Sequence, residues 1–289
     1  MTQPPSGRTT GDILAGSTAT AQTLEHLRAE GEELDSLVAA LPDRSWRLPT
    51  PAAGWTVAHQ VGHLLWSDEI ATLAMRSPAA FAPIAERVLA DGSAVVDAAA
   101  AESAALPTAE LLARWRSGRE TLLRLLGDAD PGTRIVWFGP SMSRRSMATA
   151  RLMETWVHGT DVADALGVRR TPTGRLRDIA HLGVRTRDFA HRLHGRPVPD
   201  HDFRVELQAP GGGTWTWGPE DAADRVTGPA EDFCLVVAQR RSVARTRLRV
   251  MGDAAAQWLT FAQVFAGPPT RGRPDDAPAP RLGEGGAAR

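Results

Sequence analysis

Apolar residues recur at helical spacing through the first two thirds of the chain. From Leu24 they fall at helical intervals as far as Leu41, and Pro42 follows directly. This pattern predicts a helix with one buried face that ends at a proline. A Pro-rich turn comes next, after which Thr56 is a candidate N-cap for a second helix running to about Arg76.

Further helices are expected before the chain changes character. They are predicted over about 79–104, over Ala109–Leu126 behind Thr108, from Ser143 or Ser146 to Leu166, and over Arg175–His194. Gly167 stands where a helix often ends in a left-handed glycine. A short apolar piece, Ile135–Phe138, is expected to be extended. Helices of this length in close succession predict a bundle.

Beyond Gly195-Arg-Pro-Val-Pro, apolar residues alternate along the chain instead of recurring at helical spacing. Phe203–Leu207 and Thr214–Trp217 flank three consecutive glycines, which predicts a β-hairpin. Residues 229–240 and 253–266 are predicted to be helical. The expected fold class is mainly α with a small α+β domain, in which a helical bundle precedes a hairpin-and-helix domain.

The two ends of the chain differ from the part between them. Residues 1–17 and 268–289 are rich in small and polar residues without apolar periodicity, so both ends are predicted to be disordered. Between them we expect a helical bundle over 18–170, a linking helix over 171–200 and the small α+β domain over 201–267.

The composition favours a globular protein that acts on small molecules. Hydrophobic residues make up 42% of the chain and the formal net charge is -1, so no strong overall field attracts nucleic acid. No apolar run approaches the roughly 20 residues that cross a bilayer. We therefore expect a cytoplasmic monomer or homodimer that binds neither nucleic acid nor membranes. Cys234 lies in an apolar segment and is expected to be buried and structural.

The candidate chemistry lies on two predicted helices. Glu154 and His158 are four residues apart and share one helix face, with Asp161 one turn further along. His59 and His63 have the same spacing on the second helix. Imidazole nitrogen and carboxylate oxygen are ligands for zinc and other divalent ions, so two facing helices would supply three ligands to one ion. The alternative interpretation is a hydrogen-bonded Glu–His pair beside ordinary core histidines.

At these residues the sequence resembles a known family. The segment GWTVAHQVGHLL, followed later by METWVHGTDVADALG, is similar to the mycothiol-dependent maleylpyruvate isomerase family, within the DinB-like superfamily of helical-bundle metalloproteins. The segment from Arg204 to Arg241 resembles the small C-terminal domain of that family, so the resemblance covers nearly all of 18–267. It is similar in particular to an actinobacterial branch known only for metal binding.

The resemblance implies a metal site residue by residue. The histidine of the family's W-T-…-H-L motif falls on His63, and the E-x-x-x-H-x-x-D motif falls on Glu154, His158 and Asp161. His63, Glu154 and His158 would hold a divalent metal, usually zinc in this family. Asp161 would orient His158 by accepting its other ring proton. His59 stands where the family often has Asp and is expected behind the ligands.

The resemblance also implies a reaction. In the family the metal binds a small thiol as thiolate, and an arginine of the C-terminal domain completes the site. That arginine corresponds to Arg240, with Arg241 an equal candidate for holding the cofactor, although adjacent arginines at a helix end also complement its dipole. We expect an enzyme that activates mycothiol for isomerisation or S-transfer on a small electrophile. The alternatives are a non-catalytic metal-binding protein and a metal-dependent hydrolase using bound water, with Asp161 or His59 as base.

Overall fold

The computed structural model describes residues 10–267 and 269–270. Its helices are α1 (Thr10–Val38), α2 (Asp43–Trp46), α3 (Val57–Arg76), α4 (Pro78–Asp91), α5 (Ser93–Ala104), α6 (Thr108–Asp128), α7 (Arg144–Leu166), α8 (Leu176–Arg185), α9 (Arg187–Leu193), α10 (Ala230–Val237) and α11 (Asp253–Leu259). Its strands are β1 (Arg134–Ile135), β2 (Met142–Ser143), β3 (Arg204–Gln208), β4 (Thr214–Trp217), β5 (Arg225–Pro229) and β6 (Arg249–Met251). The prediction of a mainly helical chain with a small α+β part is confirmed. Within the described residues, none of the helices combines the length and the apolar character that a bilayer span requires.

Four long helices, α1, α3, α6 and α7, form the bundle. α3 packs against α6 and α7, while α1 packs against α7 and α6. α5 covers α3 from outside, and the two approach closely at Gly62, where an added Cβ would lie 2.8 Å from the Cβ of Ser103. The residue after this glycine is His63, so the close contact fixes the backbone beside a candidate ligand.

α7 has well-defined ends. The Ser143 side chain accepts a hydrogen bond from the backbone N–H of Ser146 at 3.1 Å, and Gly167 ends the helix with φ 67, as the sequence predicts. Glu154 and His158 therefore lie in the middle of the helix, away from the ends that fray.

The C-terminal part is a four-stranded sheet covered by short helices. The strand order is β4-β3-β5-β6: β3 pairs antiparallel with β4 and parallel with β5, and β5 pairs antiparallel with β6. α10 begins directly after β5 and packs against α8. One apolar core includes Leu152 and Val157 of α7 together with Phe233 and Trp258 of the C-terminal part. This continuous core holds the end of α10 against the bundle.

Several elements differ from the expectations. The helix predicted over 79–104 is two helices, because Gly92 adopts φ 59 between α4 and α5. The linking helix predicted over Arg175–His194 is broken at Thr186, whose hydroxyl bonds back to the Leu182 carbonyl at 2.9 Å and so bends the chain.

The remaining differences are at the N-terminus and in the sheet. Residues 10–17, expected to be disordered, belong to α1, while 1–9 and most of the predicted C-terminal tail, 268 and 271–289, lie outside the described residues. The sequence pattern predicts neither β5 nor β6. In β5 (RVTGP) the strand contains both Gly and Pro, residues that are depleted in strands.

Candidate metal centre

Three side chains from two antiparallel helices meet in the bundle interior. His63 comes from α3, and Glu154 and His158 come from α7; one potential ligand atom from each lies within 4.8 Å of the other two. The Nε2 atom of His158 is 3.1 Å from Oε2 of Glu154, and Nε2 of His63 is 3.4 Å from the same oxygen. The side chains of these three residues, the triad, are 10–19% exposed. The candidate ligands are therefore enclosed but reachable.

The protonation of Glu154 and His158 matches what a divalent cation requires. Burial opposes ionisation of Glu154, yet its contacts with the His158 and His63 rings and the charge of Arg151 hold the pKa of its carboxyl well below the ordinary value. Burial and the neighbouring His63 lower the pKa of His158 to about 4, so the ring is neutral near pH 7. A carboxylate and a neutral imidazole are the states in which these two side chains bind metal.

His158 supplies the test of whether a cation fits. Its Nδ1 is 2.5 Å from Oε1 of Gln60, an acceptor, and its Nε2 faces the Glu154 carboxylate. A neutral ring has one proton, so only one of these two nitrogens can donate. When Nδ1 donates to Gln60, Nε2 presents a lone pair to a carboxylate oxygen, and a cation between them removes the repulsion. The residues present therefore fit a divalent metal.

Gln60 takes the role that the sequence analysis gave to Asp161. It is fully buried, and its amide nitrogen donates to Oγ1 of Thr50 at 2.8 Å. The Thr50 hydroxyl in turn donates to the carbonyl of Trp55 at 3.0 Å. This chain of bonds fixes which end of the amide faces His158. The position of Gln60, three residues before His63 on the same helix face, is the sequence signal that could have identified it.

His59 begins α3 and stands apart from the triad. The backbone N–H of Thr56 donates to Nδ1 of His59 at 3.3 Å, and the Thr56 hydroxyl lies 2.8 Å from the same nitrogen. This is the capping-box position, in which an aspartate would also accept the N–H. The geometry gives His59 a structural contact at the start of α3.

Trp55 covers the triad on one side. Its ring stacks on His158 with centroids 5.8 Å apart and lies 5.4 Å from the ring of His63. The indole N–H donates to Asp97 at 3.0 Å, which fixes the ring's orientation. Water is thereby restricted from that face of the histidines.

Asp161, expected to orient His158, instead accepts from an arginine of the C-terminal part. Nε and Nη2 of Arg240 are each 3.0 Å from Oδ2 of Asp161, which is fully buried. The positive charge of Arg240 also contributes to lowering the pKa of His158, after burial and His63. Arg240 is thus brought to the C-terminal side of the triad on α7.

The backbone before Arg240 is in an uncommon conformation that turns the chain toward the bundle. Gln239 has φ 59, and the N–H of Arg240 bonds back to the carbonyl of Leu235 at 2.7 Å, which closes the end of α10. The Gln239 side chain bonds to the carbonyl of Ala262 at 3.1 Å and to the hydroxyl of Thr270 at 2.6 Å. These bonds hold a non-glycine residue in the left-handed region.

Arg241 makes a second contact between the two parts. Its Nη2 donates to Asp164 at 2.9 Å, one turn of α7 beyond Asp161. Both arginines therefore dock α10 onto α7, and Arg240 is the one on the side of the triad.

A buried ion pair that sequence reasoning missed lies on the other side of Glu154. Nε of Arg151 is 3.3 Å from Oδ1 of Asp68, and Nη2 donates to Ser67 at 2.8 Å. Burial raises the pKa of Asp68 to about 6 despite the adjacent guanidinium. The charge of Arg151 also favours the ionised form of Glu154.

Comparisons with known proteins agree with this architecture. The family model described as the mycothiol maleylpyruvate isomerase N-terminal domain matches residues 27–163, the region that contains the whole triad. The chain belongs to the mycothiol-dependent maleylpyruvate isomerase family. A second model, described as wyosine base formation, matches residues 199–251 of the C-terminal part.

Relatives and solved structures extend the match over most of the chain. Two uncharacterized proteins of Mycobacterium tuberculosis, from strains CDC 1551 and H37Rv, are each 56% identical over 247 residues, covering 86% of this chain and 96% of theirs. The crystal structure of the mycothiol-dependent maleylpyruvate isomerase superposes with a TM-score of 0.54 at 13% identity, over 78% of this chain and 90% of that one. A histidine-to-alanine mutant of that isomerase superposes equally well. These structures share the fold.

Proposed function

We propose that this chain is a cytoplasmic metalloenzyme that activates mycothiol for isomerisation or S-transfer on a small electrophilic substrate. Membership of the isomerase family supports thiol-dependent isomerase chemistry. The single observation that supports a bound metal is the arrangement of the neutral His158 ring. Its Nε2 faces the Glu154 carboxylate at 3.1 Å while Gln60 accepts from Nδ1. His63, Glu154 and His158 would hold the ion, with Zn²⁺ as the expected metal.

The protein's own sulfur is excluded as the nucleophile by its position. Cys234 is the only cysteine in the chain; it is fully buried, and its Sγ lies 3.6 Å from the carbonyl of Leu176. Burial raises the pKa of this thiol far above neutrality, and a protonated thiol is a poor nucleophile. The reacting thiol must therefore come from a small molecule.

Each part of the site has a task in this proposal. When bound, the metal supplies a Lewis acid that lowers the pKa of an added thiol. Gln60 keeps His158 in one tautomer, and Trp55 restricts water from the histidines. Arg240 supplies a positive charge to a carboxylate on the thiol or the substrate, while Asp161 holds its guanidinium in place.

Metal content, measured beside thiol binding, tests this proposal. Untagged wild type is compared with Glu154→Gln, and Glu69→Gln serves as the control because Glu69 lies on α3 outside the triad. We expect about one zinc per chain in wild type and control and almost none in Glu154→Gln. Calorimetric titration should show mycothiol binding only to the metallated proteins. Full zinc in Glu154→Gln would remove the triad as the site, and equal thiol binding without zinc would remove the thiol-activation role.

A further inference from the structure

A group of aromatic rings lies beside the triad, beginning one turn beyond His63 on α3. Trp66 follows His63 by three residues on α3, and their ring centroids are 6.0 Å apart. The Trp66 ring is nearly parallel to that of Phe138, with centroids 6.5 Å apart and an angle of 12° between the planes. Phe138 lies in the loop between β1 and β2, so the two rings come from separate elements.

Two further rings support this pair from behind. Phe81 of α4 is 2% exposed, and its ring lies 5.4 Å from Phe138 and 5.8 Å from Trp137. Trp66, Trp137 and Phe138 are only half-buried and so keep ring surface accessible. The β1–β2 hairpin also leads directly into α7, which carries Glu154 and His158. The aromatic wall formed by Trp66, Phe81, Trp137 and Phe138 is therefore fixed relative to the triad.

The aromatic wall and Arg240 lie at opposite ends of the site. α3 and α7 are antiparallel, because Gln60 contacts His158 whereas Asp68 contacts Arg151. Trp66 consequently lies toward the N-terminal end of α7, and Arg240, on Asp161, lies beyond His158 toward its C-terminal end. The triad stands between an apolar surface and a cation. A ligand that spans it would carry an apolar planar group at one end and an anion at the other.

We propose that Trp66 and Phe138 form a subsite for an aryl group of the electrophilic substrate, whose carboxylate is directed to Arg240. The inference rests on the proposed thiol function and names its substrate class: aryl ketones conjugated to an unsaturated acid. The simplest member is (Z)-4-oxo-4-phenylbut-2-enoate. The thiolate sulfur adds to C2, the C2–C3 bond rotates as a single bond, and expulsion of the same thiolate restores the double bond in the E isomer. Nothing is oxidised or reduced, and the thiol is regenerated.

A matched substrate pair tests the subsite. Isomerisation of (Z)-4-oxo-4-phenylbut-2-enoate is compared with that of (Z)-4-oxopent-2-enoate, which replaces the phenyl group by methyl, with mycothiol and the zinc-loaded full chain. Each rate is divided by the rate with mycothiol alone. We expect the wild type to favour the phenyl substrate about tenfold in kcat/KM, the upper end of what one aromatic pair contributes. Phe138→Ala should reduce this preference to about twofold or less, with the larger loss of kcat/KM falling on the phenyl substrate.

Two further variants complete the test, one as a control outside the aromatic wall and one as a second substitution within it. Phe189→Ala removes a ring that is 39% exposed on α9, away from the aromatic wall, and should retain the full preference. Trp66→Leu removes the other ring of the pair and should also abolish the preference. It replaces Phe138→Ala as the test if thermal unfolding shows that Phe138→Ala does not fold. A preference unchanged in a folded Phe138→Ala or Trp66→Leu protein overturns the subsite.

Binding without thiol separates failure of the subsite from failure of the function. The saturated acids 4-oxo-4-phenylbutanoate and 4-oxopentanoate cannot accept a thiolate, and their affinities for the zinc-loaded chain are measured by calorimetry. Tighter binding of the phenyl acid, lost in Phe138→Ala, supports the subsite even if neither unsaturated substrate turns over, in which case only the thiol function fails. Turnover of both substrates with no phenyl preference in rate or binding overturns the subsite and leaves the thiol function standing.

Discussion

The contact between Gln60 and His158 makes a quantitative prediction about metal affinity. Gln60→Leu keeps approximately the same volume but removes the acceptor that lies 2.5 Å from Nδ1 of His158. The ring is then free to place its proton on Nε2, the nitrogen that faces Glu154 and is needed for the metal. Loss of such a partner behind a metal-bound histidine costs about 10- to 100-fold in affinity, which is roughly 1.4–2.7 kcal/mol of binding free energy.

The same substitution also affects the protein without metal. Gln60 is fully buried and bonds to both His158 and Thr50, so Gln60→Leu leaves the buried His158 ring and the half-buried Thr50 hydroxyl without this partner. We expect the free energy of unfolding of the zinc-free protein to fall by about 1–3 kcal/mol. The two effects are measured separately, by competition with a zinc chelator at pH 7 and by urea unfolding in EDTA.

Gln263→Leu is the matched control for this experiment. Gln263 is 1% exposed, and its amide nitrogen donates to the carbonyl of Phe265 at 3.3 Å in the C-terminal part. It should lose stability without losing zinc affinity. If Gln60→Leu binds zinc within about threefold of wild type, well under the loss expected from a missing partner, then Gln60 does not orient a metal-binding histidine and the reasoning about His158 is refuted.

Three further predictions concern the contacts around the triad. Arg240→Gln should retain zinc but lose at least about tenfold in kcat/KM and about 3–5 kcal/mol of stability, because it removes the guanidinium from the buried Asp161 carboxylate. Adding Asp161→Asn should restore most of the stability and none of the activity. Asp68 has its pKa raised from 3.8 to about 6, so the folded state binds its proton more tightly and wild-type stability falls as pH rises through this window. Asparagine does not titrate, so the free energy of unfolding of Asp68→Asn is compared with that of wild type. The difference, variant minus wild type, should increase by up to about 3 kcal/mol between pH 4 and 7. At Gln239, Gly should be more stable than Ala by about 1 kcal/mol, because φ 59 strains Ala.

Urea unfolding checks these stability values, and kinetics with mycothiol check the activity. Full activity in the double variant would show that Arg240 serves only as a counter-ion. A pH-independent difference between Asp68→Asn and wild type would contradict the burial of an ionisable pair, and equal stability of the Gly and Ala variants would contradict the strain at Gln239.

The bundle and the close approach of the three triad side chains could be predicted from the sequence because both depend on local spacing. Metal binding by the triad stays a prediction. An i,i+4 pair faces one side of a helix whatever surrounds it, and Thr56 marked the start of the helix that carries His63. The partners of the site were harder to predict. Asp161 and Arg240 are 79 residues apart, and no local pattern shows which carboxylate an arginine of another part will reach.

Errors in the prediction have similarly specific causes. The face of the helix on which Gln60 lies, in AHQVGH, is evident only once the helix phase is known, whereas the spacing of Asp161 from His158 can be read directly from the sequence. The break between α4 and α5 depends on a single positive φ at Gly92. The small apolar residues on both sides of Gly92 predict one continuous helix instead. β5 forms because β3 and β6 flank it, which is a tertiary effect.

The pairing of Arg240 with Asp161 makes the site depend on two regions at once. All three candidate metal ligands belong to the bundle, whereas the cation beside them belongs to the C-terminal part, in the segment between α10 and β6. A chain in which only the bundle has folded would have the ligands assembled but no anion-binding group, and Asp161 would lack its guanidinium. Under the proposed function, metal uptake would need only the bundle, whereas turnover would also need the C-terminal part docked onto it.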